Sequence, residues 1–248
     1  KDTPFVLFSD PKAIPIFNQL SRQVYIVSTP EGFGFVEPCE HPLQCCNGQT
    51  SPIKLEIILP PQSLSHLGDP TFISTHNTQF CYVTGAMANG IGSCEVVEMI
   101  ANCGGLGFFG SAGLPIEKVV AAIDRLKTKL PLLPFGFNLI HSPAEPELEA
   151  SLVNLYLEKK IHLIEAAAFL SVTINLVKFR VAGIYQDHHG NVITPNSIFA
   201  KLSREELAEK FLSPPPEAMV SELVADGFIT EKQGALARAI PMAQDITA

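Results

Sequence analysis

Residues 81–113 read CYVTGAMANGIGSCEVVEMIANCGGLGFFGSAG, and this stretch decides the fold. Phe80 to Thr84 is short and rich in aromatic and β-branched residues, which predicts a buried strand. Gly85, Gly90 and Gly92 then loosen the backbone and let a flat ligand approach the main chain. Ser93 is an N-cap, Val96, Val97 and Ile100 follow at helical spacing, and Gly104-Gly105 ends the helix. Leu106 to Gly110 reads as a second apolar strand. A βα unit of this kind carries a loop of small residues to the carboxyl end of a strand, where α/β proteins bind ligands.

Within the same stretch, Gly105-Leu-Gly107-Phe-Phe-Gly110 matches the pattern G-x-G-x-x-G. A dinucleotide fingerprint needs a strand before it and a helix opening at it. Here a helix precedes it and the glycines run through the strand, so they read as residues that let the strand pack closely.

Working outward, the pattern repeats. Pro115 starts a helix with Val119, Val120, Ile123 and Leu126 on its core face. Pro134 to Ile140 is a strand. Glu147 to Glu158 is a helix with Leu148, Leu152, Leu155 and Tyr156 on one face. Ile161 to Phe169 is a strand, Thr173 to Ala182 a helix closed by Gly183, and Tyr185 to Val192 a hairpin excursion that puts Asp187, His188 and His189 towards solvent. Ser197 to Leu202 is another strand. Ser203-Arg-Glu-Glu206 and Thr230-Glu-Lys-Gln233 read as capping boxes that open helices, with a further helix from Glu217 to Ala225 after three prolines. Asp245 to Ala248 begins one more strand. Alternating apolar strands and helices argue a parallel β/α array. Five strands and the start of a sixth would suffice for an open doubly wound sheet, whereas a closed (β/α)8 barrel needs eight.

Residues 1–52 form a separate region: one helix in Pro11 to Leu20, strands at Gln23 to Ser28 and in GFGFVEP, and a turn-rich linker from Pro38 to Pro52. It reads as a capping or docking appendage. Residues 53–248, opening with the strand Ile53 to Leu59, form the β/α domain.

Composition sets limits. The chain has 248 residues, 46% of them hydrophobic, and a formal net charge of −8. This is enough for a large core, and the acidic balance argues against a nucleic-acid-binding face. No apolar run approaches the ~18 residues of a transmembrane helix, and the N-terminus lacks the apolar core of a signal peptide. The cysteines at 39, 45, 46, 81, 94 and 103 form no C-x-x-C pair and read as reduced, cytosolic thiols. Cys39, His41, Cys45 and Cys46 can be drawn as a metal cluster, but the adjacent pair strains tetrahedral geometry, and no metal site is read.

Small or polar residues fall at the predicted carboxyl ends of the strands: Gly85-Ala86-Met87-Ala88-Asn89, Asn138, His141, the alanines 166–168 and Lys201. In a barrel they would converge on one mouth. No Ser-His-Asp order, P-loop or H-E-x-x-H appears. Such a ring suits a flat, uncharged ring system with a polar tail, a flavin or something similar. His141 reads either as a donor to a substrate carbonyl or as a cap on a strand-end turn.

The motifs GAMANGIGS (85–93), GFFGSAGL (107–114), GFNLIHSP (136–143), IEAAAFLSVT (164–173) and AKLSREELAEKFLSPPPE (200–217) closely resemble the PfaD family. These are trans-acting enoyl reductases of polyketide and polyunsaturated fatty acid synthases, related to the nitronate monooxygenases, which are FMN-dependent (β/α)8 barrels. The resemblance runs from about Leu59 to Ala248. It implies a TIM-type (β/α)8 barrel, FMN against Gly85, Ala86, Met87 and Ala88, and cofactor contacts from Asn138 and Lys201. It implies hydride passing from NADPH through FMN to an enoyl thioester on an acyl carrier protein, a cytoplasmic location, synthase partners and a possible homo-oligomer. The alternatives are a nitronate monooxygenase and a non-catalytic docking fragment of a synthase.

In the family, the strand opening at Asp245 runs on into an acidic, Gly-Gly-His motif. This sequence stops at Ala248, so the expectation is a barrel incomplete at its C-terminus. It would be an open arc with two exposed edges, not a competent enzyme by itself, with its main catalytic His and phosphate cradle beyond Ala248.

Overall fold

A computed structural model describes residues 5–17, 21–36 and 54–247, in two compact units that divide between Pro70 and Thr71. The linker read over 38–52 lies outside the described residues, as do Cys39, His41, Cys45 and Cys46. Among the described residues no group of His, Cys, Asp or Glu is placed to hold a metal ion. No described helix is long and apolar enough to cross a membrane.

The first unit contains β1 (Phe5–Leu7), α1 (Ala13–Phe17), β2 (Val24–Thr29), β3 (Gly32–Val36) and β4 (Lys54–Leu59). They build an antiparallel sheet in the order β1-β3-β2-β4 around Ala13, Val24 and Phe35. This corrects the boundary expected at residue 52. Strand β4 does not open the β/α domain: it pairs with β2, Val24 lying opposite Leu59. Its apolar sequence suits a strand in either place, and only the pairing decides.

The second unit runs through α2 (Pro70–His76), β5 (Val83–Thr84), α3 (Cys94–Asn102), β6 (Leu106–Phe109), α4 (Ile116–Lys129), β7 (Phe135–Ile140), α5 (Pro146–Glu158), β8 (Leu163–Ala167) and α6 (Ile174–Val181). A hairpin of β9 (Tyr185–Gln186) and β10 (Val192–Ile193) follows. Then come β11 (Ser197–Lys201), α7 (Glu205–Leu212), α8 (Glu217–Ala225), α9 (Glu231–Ala237) and β12 (Asp245–Thr247).

Six parallel strands lie in the order β5-β6-β7-β8-β11-β12, which apart from the hairpin is simply chain order. A doubly wound sheet reverses direction at a switch point; this one never does. One large apolar cluster joins residues of the helices to one face of the strands, among them Val119, Ile123 and Tyr156 with Phe137, Leu139, Ile164 and Ala200. A smaller cluster on the other face holds Leu106, Phe108 and Phe199, with Phe72, Val83 and Leu163. The sheet therefore has a helix-covered outer face and an inner face.

The sheet also curls. In a flat sheet β5 and β8, three strand spacings apart, would be separated by about 14 Å. Instead the amide of Ala86, just after β5, donates to the Glu165 carboxyl on β8 at 3.0 Å. His76 on α2, 7% exposed, meets Asp245 on β12 at 2.5 Å. Among the described residues β5 and β12 each pair on one side only, so the curled sheet is an open arc of the barrel type, as the family resemblance implied, and not the doubly wound sheet that the repeat pattern alone also allowed.

Three local readings are corrected. The strand expected over Phe80 to Thr84 shrinks to Val83–Thr84, because Gln79 and Phe80 give their N–H groups to the carbonyl of Gly104 instead of to a ladder. The buried face of α5 is Glu149, Leu152, Val153 and Tyr156, while Leu148 is 42% exposed. Hydrogen bonds from His141 and Thr173 draw the Glu149 carboxylate inward and set that rotation. Ser203 does not cap α7: Arg204 is the N-cap residue, with no side-chain bond. The box at Thr230 does form, its hydroxyl accepting the Gln233 N–H while the Gln233 side chain accepts the Thr230 N–H.

Arg180 on α6 is 2% exposed and has no carboxylate partner among its hydrogen bonds. It donates to the carbonyls of Asn196 (2.7 Å) and Pro241 (3.1 Å) and to Gln244 Oε1 (3.4 Å). Burial pushes its guanidinium down to about 10. This one side chain knits α6 to the segments leading into β11 and β12. Arg180→Met removes the donors and leaves buried carbonyls without partners, at an expected cost of about 3 kcal/mol in chemical denaturation. A loss below about 1 kcal/mol would show that the network is dispensable.

Candidate functional site

The loop after β5 is held by backbone bonds. Gly92 N–H donates to the Met87 carbonyl at 3.0 Å, Gly90 N–H to Gly110 at 2.9 Å, and Gly110 N–H to Gly92 at 2.9 Å. Asn89 (φ +57°) and Gly90 (φ +72°) turn the chain through the left-handed region, where Asn and Gly carry the least penalty. Gly110 lets β6 touch this loop: a Cβ there would lie 1.6 Å from the Met87 carbonyl oxygen. The glycines of GLGFFG are thus packing glycines, as their place in the strand implied. Met87 is 44% exposed and stands at the surface of the loop.

Strand alternation sorts the remaining residues. Phe137, Leu139, Ile164, Ala166, Ile198 and Ala200 enter the helix-side cluster. Asn138, Glu165 and Lys201, being out of step with them, face inward. Asn138 and Glu165 are direct partners across β7 and β8. Asn138 is 2% exposed, and its Nδ2 reaches the Glu165 carbonyl at 3.5 Å. Its own carbonyl accepts from Ser111 Oγ (2.5 Å) and Tyr156 OH (2.9 Å), which fixes the end of β7. Burial pushes the Tyr156 phenol up, so it remains a neutral donor. The Asn138 Oδ1 is buried and accepts no hydrogen bond among the described residues. A buried acceptor without a donor is uncommon and marks a place where a ligand N–H or O–H would be favoured.

Glu165 is 1% exposed and sits where the sequence reading placed no functional residue. Besides the Ala86 amide, its carboxyl has no hydrogen bond or ion pair among the described residues. Burial pushes it above the ordinary carboxylate range, against the pull of the Lys201 ammonium and the Ala86 N–H. Both groups border Gly85: a Cβ on Gly85 would lie 2.9 Å from Glu165 Oε1 and 3.6 Å from Lys201 Nζ. The structure therefore brings Gly85, Ala86, Asn138 and Lys201 together around a carboxyl group. A signal for it existed in the sequence, a lone Glu inside the apolar run IHLIEAAAF. A carboxylate rarely occupies a buried strand without a role.

His141 lies apart from these residues. Its Nδ1 meets Glu149 Oε2 at 2.8 Å, its ring stacks on Phe169 with centroids 5.0 Å apart, and its amide donates to Ala167 at 3.1 Å. Phe169 and Glu149 belong to the helix side, and the other Glu149 oxygen accepts from Thr173 at 2.5 Å. The histidine is thus built into a polar knot that joins β7, α5 and the cap of α6. Ala168, directly after β8, has φ +62°, a conformation that costs a non-glycine residue about 1 kcal/mol and recurs near functional sites.

Known proteins can now be compared. No protein-family model matches the chain. It is 42% identical over 189 residues to a component of the polyunsaturated fatty acid synthase of Thraustochytrium, covering 76% of this chain and 13% of that protein. It is 39% identical over 181 residues to the polyketide biosynthesis protein PksE of Bacillus subtilis, covering 73% of this chain and 24% of that one. The enoyl reductase domain of MlnA, from the macrolactin biosynthesis cluster of Bacillus amyloliquefaciens, superposes with a TM-score of 0.72 at 38% identity. That superposition covers 74% of this chain and 42% of the MlnA chain. This chain is a homologue of these synthase proteins. The PfaD resemblance read from GAMANGIGS and its companion motifs is borne out in the relatives themselves. The chain spans a quarter or less of the length of the curated relatives named here.

Proposed function

We propose that this chain is the flavin-binding arc of an enoyl reductase that serves a polyketide or polyunsaturated fatty acid synthase. On this reading it binds FMN, draws on NADPH, and reduces the C=C bond of an enoyl thioester carried on an acyl carrier protein. Acyl carrier protein and other synthase components are then its partners. The observation that carries the reading is the buried Asn138 Oδ1 on the inner face, without a donor among the described residues, on the strand next to Glu165, whose carboxyl borders Gly85.

The residues present fit a flat heterocycle with a polar edge. Gly85 and Ala86 offer a backbone that a planar ring can approach. Asn138 offers an acceptor, and Lys201 offers a cation. Phe108 and Phe199, with ring centroids 5.5 Å apart, form an apolar floor that keeps water from that face. When bound, FMN supplies the hydride chemistry; the protein supplies orientation, exclusion of water and local charge.

The test uses the full-length protein. It should purify yellow and release FMN on denaturation. With NADPH and a crotonyl-loaded carrier protein, the acyl group should gain the mass of one hydride and one proton. Colourless protein that takes up no added FMN sinks the reading. Rapid oxygen consumption with a nitronate, and no mass gain on the carrier, would move the assignment to nitronate oxidation.

A further inference from the structure

Glu165 combines three features that are rarely found together. It is almost fully buried on the inner face of the arc, among the described residues its carboxyl bonds only a backbone amide, and it stands close to a cation with which it makes no ion pair. An ionised carboxylate in that position would carry a desolvation cost that one amide bond does not offset, whereas a neutral carboxyl would not. We propose that Glu165 and Lys201 act as one functional pair, in which Glu165 is the neutral, hydrogen-bonding member and Lys201 the sole charge presented to a ring bound against Gly85 and Ala86. This rests on the flavin reading above and deepens it.

The surroundings are consistent with that division. Facing Glu165 are the Lys201 ammonium from β11, the Ala86 amide from the loop after β5, and the uncharged Asn138 side chain from β7. From β12 and α2 come Asp245 and His76, which are bonded to each other. Burial holds the Glu165 carboxyl above its ordinary range, even with a lysine beside it. The unpaired cation favours the form of the ring that carries more negative charge, so it makes reduction of the bound ring easier. As pH rises and Glu165 ionises, its negative charge cancels that of Lys201, and the advantage disappears.

The test measures the reduction potential of FMN bound to the full-length protein across pH, in wild type, Glu165→Gln and Lys201→Met. Glu165→Gln keeps the shape and the acceptor for Ala86 but cannot ionise. At the acid end of the curve it should match wild type, while Lys201→Met should be harder to reduce. As pH rises through the range in which Glu165 ionises, the wild-type potential should fall more steeply than that of Glu165→Gln. A Glu165→Gln potential clearly above wild type at every pH would mean that the carboxylate is charged throughout, and would overturn the proposal. Should Glu165→Gln not fold, the wild-type curve alone decides: a steepening with rising pH supports the pair, and a constant slope overturns it. Failure of wild type to take up FMN would overturn the flavin reading and this proposal with it. Uptake with the wrong potentials overturns the proposal alone.

Discussion

Gly110→Ala should cost at least about 3 kcal/mol and lower the melting temperature by roughly 10 °C. The alanine Cβ would lie 1.6 Å from the carbonyl oxygen of Met87 and 2.5 Å from its carbon. The obstacle is main chain, with no side chain able to swing away. Nor can the loop retreat freely, because it is tied to the same residue through Gly90 N–H to Gly110 O and Gly110 N–H to Gly92 O. Relief therefore requires breaking those bonds or separating the loop from β6. Thermal denaturation of the full-length protein measures the effect. A shift under about 2 °C would mean that the loop is not packed on the strand as described.

Gly85→Val should give the opposite profile: a folded protein that no longer binds FMN. Here the nearest neighbours of a new Cβ are the ends of two flexible side chains, Glu165 Oε1 at 2.9 Å and Lys201 Nζ at 3.6 Å, and both can move. The fold tolerates the change. The branched side chain, however, occupies the surface on which the ring is proposed to lie, and displaces the carboxyl that braces Ala86. A loss of about 3 kcal/mol, on the order of 100-fold in affinity, is expected. Flavin fluorescence titration reads it, with the melting temperature as a control for folding. Unchanged FMN affinity in a folded Gly85→Val protein would show that the loop 85–88 is not the binding surface.

The two substitutions separate what was legible in the sequence from what was not. Both glycines stood out, in GAMANG and in GFFG. Their different roles did not, because an approach to a backbone carbonyl and an approach to a carboxyl look alike in a linear string. The rotation of α5 was hidden for a related reason. Leucine periodicity favoured Leu148, yet Glu149 is drawn inward by His141 and Thr173, residues that lie outside the helix. The apolar strand Lys54–Leu59 fitted either unit by composition, and its partner β2 decided.

The sequence by itself determined the alternation of strands and helices, the loop of small residues after β5, the place of Asn138 and Lys201 on their strands, and the kinship with synthase reductases. These follow from local periodicity, from glycine and capping chemistry, and from motifs that stay contiguous along the chain. Only the tertiary structure decided which residues the curl of the sheet brings together, that Glu165 is the centre of the candidate site, and that His141 is built into a separate knot. The physical reason is curvature. Bending six strands brings the Ala86 amide to a carboxyl 79 residues later, and His76 to Asp245 across 169 residues. No pattern read along the chain encodes a separation of that size.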